Sequence, residues 1–105
     1  MKTASFHILL GLAGGPSHGA EIQRRAVERT EGAVKLYPVT LYRSLDELVD
    51  RGLIEELPDP EDADHNERRR YFRLTGEGRR ALRAEARSLE ASARMAYEAL
   101  ESGRS

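Results

Sequence analysis

Between Leu36 and Ile54 the apolar and polar residues alternate with helical spacing. Leu41, Leu45, Leu48 and Val49 fall on one side of a wheel, and Thr40, Arg43, Ser44, Glu47 and Arg51 on the other. Pro38 suits a first helical turn, where its missing N–H is no loss, and Gly52 suits the helix end. The polar side changes along its length: Thr40, Arg43 and Ser44 offer donors at the leading end, whereas Asp46, Glu47 and Asp50 are acidic. A helix that leads with donors and with its positive dipole end fits a DNA major groove, N-terminus first. Taken alone, it also fits the surface of a small bundle.

The same patterning predicts the other elements. Phe6, Leu9, Leu10 and Ala13 form one stripe of a helix from about Thr3 to Ala13, widened by Ile8 and Leu12 and ended by Gly14-Gly15-Pro16. Ser17 reads as the N-cap of a second helix from about His18 to Glu31, in which Gly19 permits close approach to a neighbour and Gly32 ends the run. After Gly52 the spacing becomes strand-like through Leu57, stops at Pro58, and resumes from Arg70 to Leu74. Three helices followed by a hairpin with a protruding arm is the order of a winged helix-turn-helix. Thr75 should cap a last helix reaching about Ser102, along which Leu82, Ala86, Leu89, Ala93, Ala96 and Leu100 recur at spacings of four, three, four, three and four. This heptad seam is expected to pack on a second copy of the chain, the alternative being a helix folded back on its own domain. The expected fold is therefore mainly α with a small β-hairpin. Residues 1–76 would form the winged domain and 77–105 the dimerisation helix, in one continuous unit.

Composition changes this picture in two places. Formal net charge is −1, unlike the basic balance usual for a nucleic-acid-binding domain, but the charge is segregated. Arg68, Arg69, Arg70 and Arg73 occupy four of six consecutive positions after an acidic run from Asp59 to Glu67. Such a stripe can meet phosphates, or it can be a solvated loop. The absence of cysteine excludes disulfides, thiolate metal sites and cysteine nucleophiles. His7, His18 and His65 lack ligand spacing, the acidic run lacks the glycine and terminal glutamate of a calcium loop, and no hydrolase or phosphate-loop motif occurs. No metal, cofactor or catalytic group is expected. The longest apolar stretch, Phe6 to Ala13, is too short to span a bilayer, and a soluble, unprocessed, cytoplasmic protein is expected.

Several stretches together resemble the PadR family of bacterial transcriptional regulators. They are His7-Ile-Leu-Leu-Gly-Leu-Ala, Gly15-Pro-Ser-His-Gly19 before Glu21-Ile22, Thr40-Leu-Tyr-Arg-Ser-Leu45, Gly52-Leu-Ile and Arg70-Tyr-Phe-Arg-Leu-Thr-Gly-Glu-Gly78. Each is weak alone; the ordered set is specific, and the single C-terminal helix is similar to the family's short branch. The resemblance implies a homodimer, usually a repressor, that binds a near-palindromic operator in double-stranded DNA and often releases it when a small-molecule effector binds near the dimer interface. Two positions depart from the family pattern. Ala20 stands where an aromatic residue is common, and the chain has no tryptophan with which to sandwich flat ligands, although Phe6, Met95 and Tyr97 could line an apolar pocket.

By the resemblance, Thr40, Tyr42 and Arg43 sit where the recognition helix touches DNA and Arg68 to Arg70 sit at the wing. Arg43 is expected to reach a base, since guanidinium can bond two acceptors on a guanine edge, typically worth about 1–3 kcal/mol of discrimination. Thr40, Tyr42 and Ser44 are expected at phosphate or a thymine methyl, with half-buried packing the alternative for Tyr42. Lys35 and the wing arginines Arg68, Arg69 and Arg70 are phosphate candidates, and Arg73 can instead pair with Glu55. Phe6, Leu82, Ala86, Leu89, Ala93, Ala96 and Leu100 are the dimer-interface candidates. The competing reading is a winged-helix dimer devoted to protein interaction, supported by the negative net charge and the acids at Asp46, Glu47 and Asp50.

Overall fold

A computed structural model describes residues 1–58 and 70–103. The elements run α1 (Thr3–Leu12), β1 (Ser17–His18), α2 (Gly19–Arg29), α3 (Pro38–Asp50), β2 (Ile54–Leu57), β3 (Tyr71–Leu74) and α4 (Gly76–Ser102). The order and type of the helices follow the sequence pattern, and the winged helix is the fold observed. The hairpin, however, is part of a three-stranded antiparallel sheet in the order β1-β3-β2. Ser17 pairs with Phe72 and His18 with Tyr71, so the N-terminal side of the sheet supplies partners that β3 would otherwise lack.

That pairing corrects one expectation. Ser17 is buried in a strand and does not cap α2. The N-cap is His18, whose Nδ1 accepts a hydrogen bond from the Glu21 N–H at 3.3 Å.

The core joins the first three helices to the sheet. Ile8, Leu9 and Leu12 of α1, Ile22 and Ala26 of α2, and Leu41, Leu45 and Leu48 of α3 enclose Ile54 and Phe72 from the sheet. The α3 stripe therefore lies where its spacing places it. Gly52 ends the helix with a positive φ of 75°, and the Leu53 N–H returns to the Leu48 carbonyl at 3.0 Å, which turns the chain directly into β2.

Thr75 caps α4 as expected, its hydroxyl accepting from the Gly78 N–H at 3.0 Å and donating to the Gly52 carbonyl at 2.6 Å. Gly78 is buried because α4 passes Leu53, just before β2, and Leu74 of β3 at very short range: a Cβ there would collide with the Leu53 carbonyl oxygen and lie 2.7 Å from Leu74 Cδ1. Ala81 and Leu82 still pack against the core, but from Ala86 to Gly103 every residue is exposed. A helix of 27 residues is about 40 Å long, so its outer half projects beyond the folded unit.

Candidate nucleic-acid interface

The leading end of α3 is built by Pro38 at its first turn and by Tyr37 at the N-cap, whose side chain makes no capping bond. The first N–H groups of the helix are consequently not consumed by a side-chain cap. Around this end Tyr37 is 64% exposed and Val39 70% exposed, next to exposed Thr40 and Arg43. Arg43 has no ion-pair partner among the described residues. Lys35 is also exposed and borders a groove of about 480 Å³ between α2 and the connector, lined by Ala20, Val27, Leu36 and Tyr37. The Gln23 amide donates to the Leu36 carbonyl and fixes that connector to α2.

Ser44 departs from expectation. It is only 8% exposed, on the buried side of α3. At 100° per residue it lies about 40° from Leu48 and about 60° from Leu41, at the edge of the apolar stripe, and the packing around α3 extends the buried arc to include it. Val39 and Tyr37 are exposed for different reasons. Val39 is apolar but out of phase with Leu41, Leu45 and Leu48, whereas Tyr37, four positions before Leu41, shares their phase but stands at the N-cap, where the backbone is extended and the helical stripe does not apply.

Tyr42 is both exposed and packed. It is 41% exposed, yet its ring packs on the start of α2: a Cβ on Gly19 would lie 3.1 Å from the Tyr42 hydroxyl and 3.4 Å from its Cε1. Glycine at position 19 is what lets the two helices of the helix-turn-helix meet at this ring.

The wing arginines divide. Arg68 and Arg69 lie outside the described residues. Arg70, expected at phosphate, is already committed: its Nη2 lies 2.9 Å from Asp46 Oδ1 and 2.8 Å from Glu56 Oε1, and its Nε lies 3.3 Å from both Glu56 carboxylate oxygens. Its Cζ sits 5.2 Å from the Phe72 ring centroid and 6.0 Å from that of Tyr42. The hydrogen bonds to Glu56 first, and then to Asp46, raise its pKa further above an already high value. Arg73 pairs with Glu55, its cross-strand neighbour, which is the alternative raised for it from the sequence.

Other charges near the interface are likewise tied down. Arg24 bonds Glu21 and Glu28, and Arg25 bonds Glu21 while donating to the Gly11 carbonyl at 3.1 Å, which links α2 to α1. These bonds, Arg24's above all, hold the Glu21 carboxyl below its usual pKa. Asp46 is neutralised by Arg70, and Glu47 lies 3.9 Å from Lys2. The acidic half of α3 is thus partly compensated within the fold, leaving Lys35 and Arg43 as exposed cations beside its leading end.

Of the dimer candidates, Phe6, Leu82 and Ala86 come together with Leu10, Ala13 and Leu74 around a groove of about 300 Å³ between α1 and α4. Leu89, Ala93, Ala96 and Leu100 remain exposed along the projecting half, as do Met95 and Tyr97. Among the described residues there is no group of His, Asp and Glu arranged to hold a metal ion, and no helix long and apolar enough to cross a membrane.

Comparison with known proteins agrees with this architecture. A transcriptional regulator from Clostridium thermocellum is 25% identical, with a TM-score of 0.77 over 90% of this chain and 87% of that one. A PadR family transcription regulator from Clostridium difficile is 22% identical, with a TM-score of 0.78 over 94% and 99% of the two chains. Bacillus subtilis PadR, solved in complex with operator DNA, is 20% identical with a TM-score of 0.70; the match covers 81% of this chain and 47% of that one. No curated protein matches the sequence. The profile of the transcriptional regulator PadR-like family matches residues 8–84, from the second half of α1 through the sheet, α2 and α3 to the packed start of α4, and the chain belongs to that family.

Proposed function

We propose that the chain is a DNA-binding transcriptional regulator that works as a homodimer in the cytoplasm, represses by occupying a near-palindromic operator, and has no enzymatic activity. The observation that carries this reading is the leading end of α3, where Thr40 and Arg43, unpaired among the described residues, stand exposed beside Tyr37, Val39 and Lys35 while the opposite face of the helix is buried in the core. A rigid helix presenting a guanidinium, a hydroxyl and an apolar patch at its positive end can read base edges and thymine methyls while its N–H groups face phosphate. The likeness in fold to a protein solved on operator DNA supports it.

Residues 1–76 supply the DNA-binding unit in this reading and residues 77–105 the dimerisation helix. The exposed seam of Leu89, Ala93, Ala96 and Leu100 packs on its counterpart, and the groove at Phe6, Leu82 and Ala86 receives part of the partner. Two-fold pairing would place two recognition helices about one DNA turn apart, which is why a palindromic site is expected. An apolar effector would enter at this interface, near Phe6, Met95 and Tyr97.

The test is a titration of the purified protein against DNA upstream of its own gene and a scrambled duplex at two salt concentrations. A preference that survives the higher salt is expected, and Arg43→Ala should reduce it by about 1–3 kcal/mol. Equal, weak binding to both duplexes that vanishes with salt would defeat the reading.

A further inference from the structure

Arg70 sits immediately before β3, the central strand of the sheet, and ties three elements together. Its guanidinium bonds Asp46 on α3 and Glu56 on β2 while lying over Phe72 of β3 and beside Tyr42 of α3. The placement follows from two spacings. Tyr42 and Asp46 are four apart on one helix and so share a face, and Glu56 is the cross-strand partner of Phe72. One planar cation therefore meets a carboxylate and a ring from the helix, and a carboxylate and a ring from the sheet.

We propose that Arg70 is a positioning residue for operator recognition: Asp46 and Glu56 hold its guanidinium off the DNA backbone so that it fixes the angle of α3 to the sheet and the orientation of the Tyr42 ring. This rests on the DNA-binding reading above. To reach a phosphate, Arg70 would have to abandon two carboxylates and leave them uncompensated beside a polyanion, where like-charge repulsion opposes the exchange. Retained by the carboxylates, it adds nothing to counterion release. Its contribution appears instead as sequence preference, because Tyr42 is pinned between Arg70 and the backbone of Gly19 at the end of α3 that carries Arg43.

The experiment uses the full chain with Arg70→Gln, with Asp46→Asn/Glu56→Gln, and with all three changes, each titrated on the upstream and scrambled duplexes across a salt series. Arg70→Gln should lower the preference for the upstream duplex about tenfold, the scale of one lost base contact, and leave the slope of log K against log salt at the wild-type value. The acid variant should free the guanidinium for phosphate, steepening the slope by about 0.9 and raising affinity for the scrambled duplex. The triple variant should lose that added slope, which separates a freed arginine from a mere change in net charge. A slope shallower by about 0.9 in Arg70→Gln would show direct phosphate contact and overturn the proposal, as would an unchanged preference. Melting temperatures without DNA distinguish the two readings: Arg70→Gln and the acid variant should each lower the melting point, and the triple variant should fall no further than the worse of them. Fully additive losses would overturn the clamp even if operator binding stands, whereas non-additive losses with no wild-type preference would place the failure in the DNA-binding reading.

Discussion

Helix α3 and the outer half of α4 carry the same kind of sequence signal and meet opposite fates. In α3 the stripe of Leu41, Leu45 and Leu48 is almost completely buried by α1, α2 and the sheet. In α4 the stripe of Leu89, Ala93, Ala96 and Leu100 is exposed, with Leu89 at 49% and Leu100 at 72%. Amphipathic spacing states that a face is to be covered; it does not state by what. For α3 the cover lies within 40 residues of chain on either side. For α4 no element among the described residues covers the stripe, and a second copy is the cover proposed.

The sharpest way to break this contrast is to damage each stripe in turn. Leu45→Ala removes a side chain with no exposure and should cost about 2–5 kcal/mol in chemical denaturation, with no change in oligomeric state of the remaining folded protein. Leu89→Glu should do the reverse, converting a dimer to a folded monomer by light scattering while helical content at 25 °C is retained; an unchanged mass would place the interface elsewhere. A smaller effect is expected where the packed and projecting halves of α4 share a start. Thr75→Ala deletes both the cap bond to Gly78 and the bond to the Gly52 carbonyl, and should cost about 1 kcal/mol in thermal or denaturant unfolding.

The smallest effect belongs to the packed region alone and is read by pH. His7 on α1 has a buried Nδ1 with no hydrogen-bond partner among the described residues, and burial, then the charge of Arg29, lowers its pKa from 6.5. The unfolded chain therefore binds the proton more readily than the folded one. Stability contributed by neutral His7 is fully present above pH 6.5 and declines as pH falls below it through the lower folded value. His7→Gln should flatten the melting-temperature profile in that window. The separate decline from Glu21, whose folded pKa lies below 4.5, should remain at more acidic pH.

Much of the fold was legible because its determinants are local. Pro38, Gly52 and Thr75 bound their helices through bonds reaching no more than a few residues or through backbone restriction, and each stands where the pattern placed it. The third strand was not legible, because two residues cannot display an alternation and Ser17 is recruited by the backbone of β3, 55 positions later. At the candidate interface the exposure of Arg43 and Thr40 was legible from helical phase alone. The side of the arc on which Ser44 falls was not, since the width of a buried stripe depends on how many neighbours converge on it.

What the sequence determined by itself is the succession of helices and strands, the apolar face of each, the caps, and the motif set that marks the family. These depend on torsional preference and on side chains within about four residues of one another. What only the tertiary structure decided is which charges are spent and which are left. Arg70 and Arg43 are the same residue type, both in segments expected to meet DNA. Docking α3 against the sheet brings Asp46, 24 positions away, and Glu56, 14 away, onto Arg70, while it leaves Arg43 facing outward. A charge's availability is set by the distance to its counter-ions, and that distance does not exist until the elements pack.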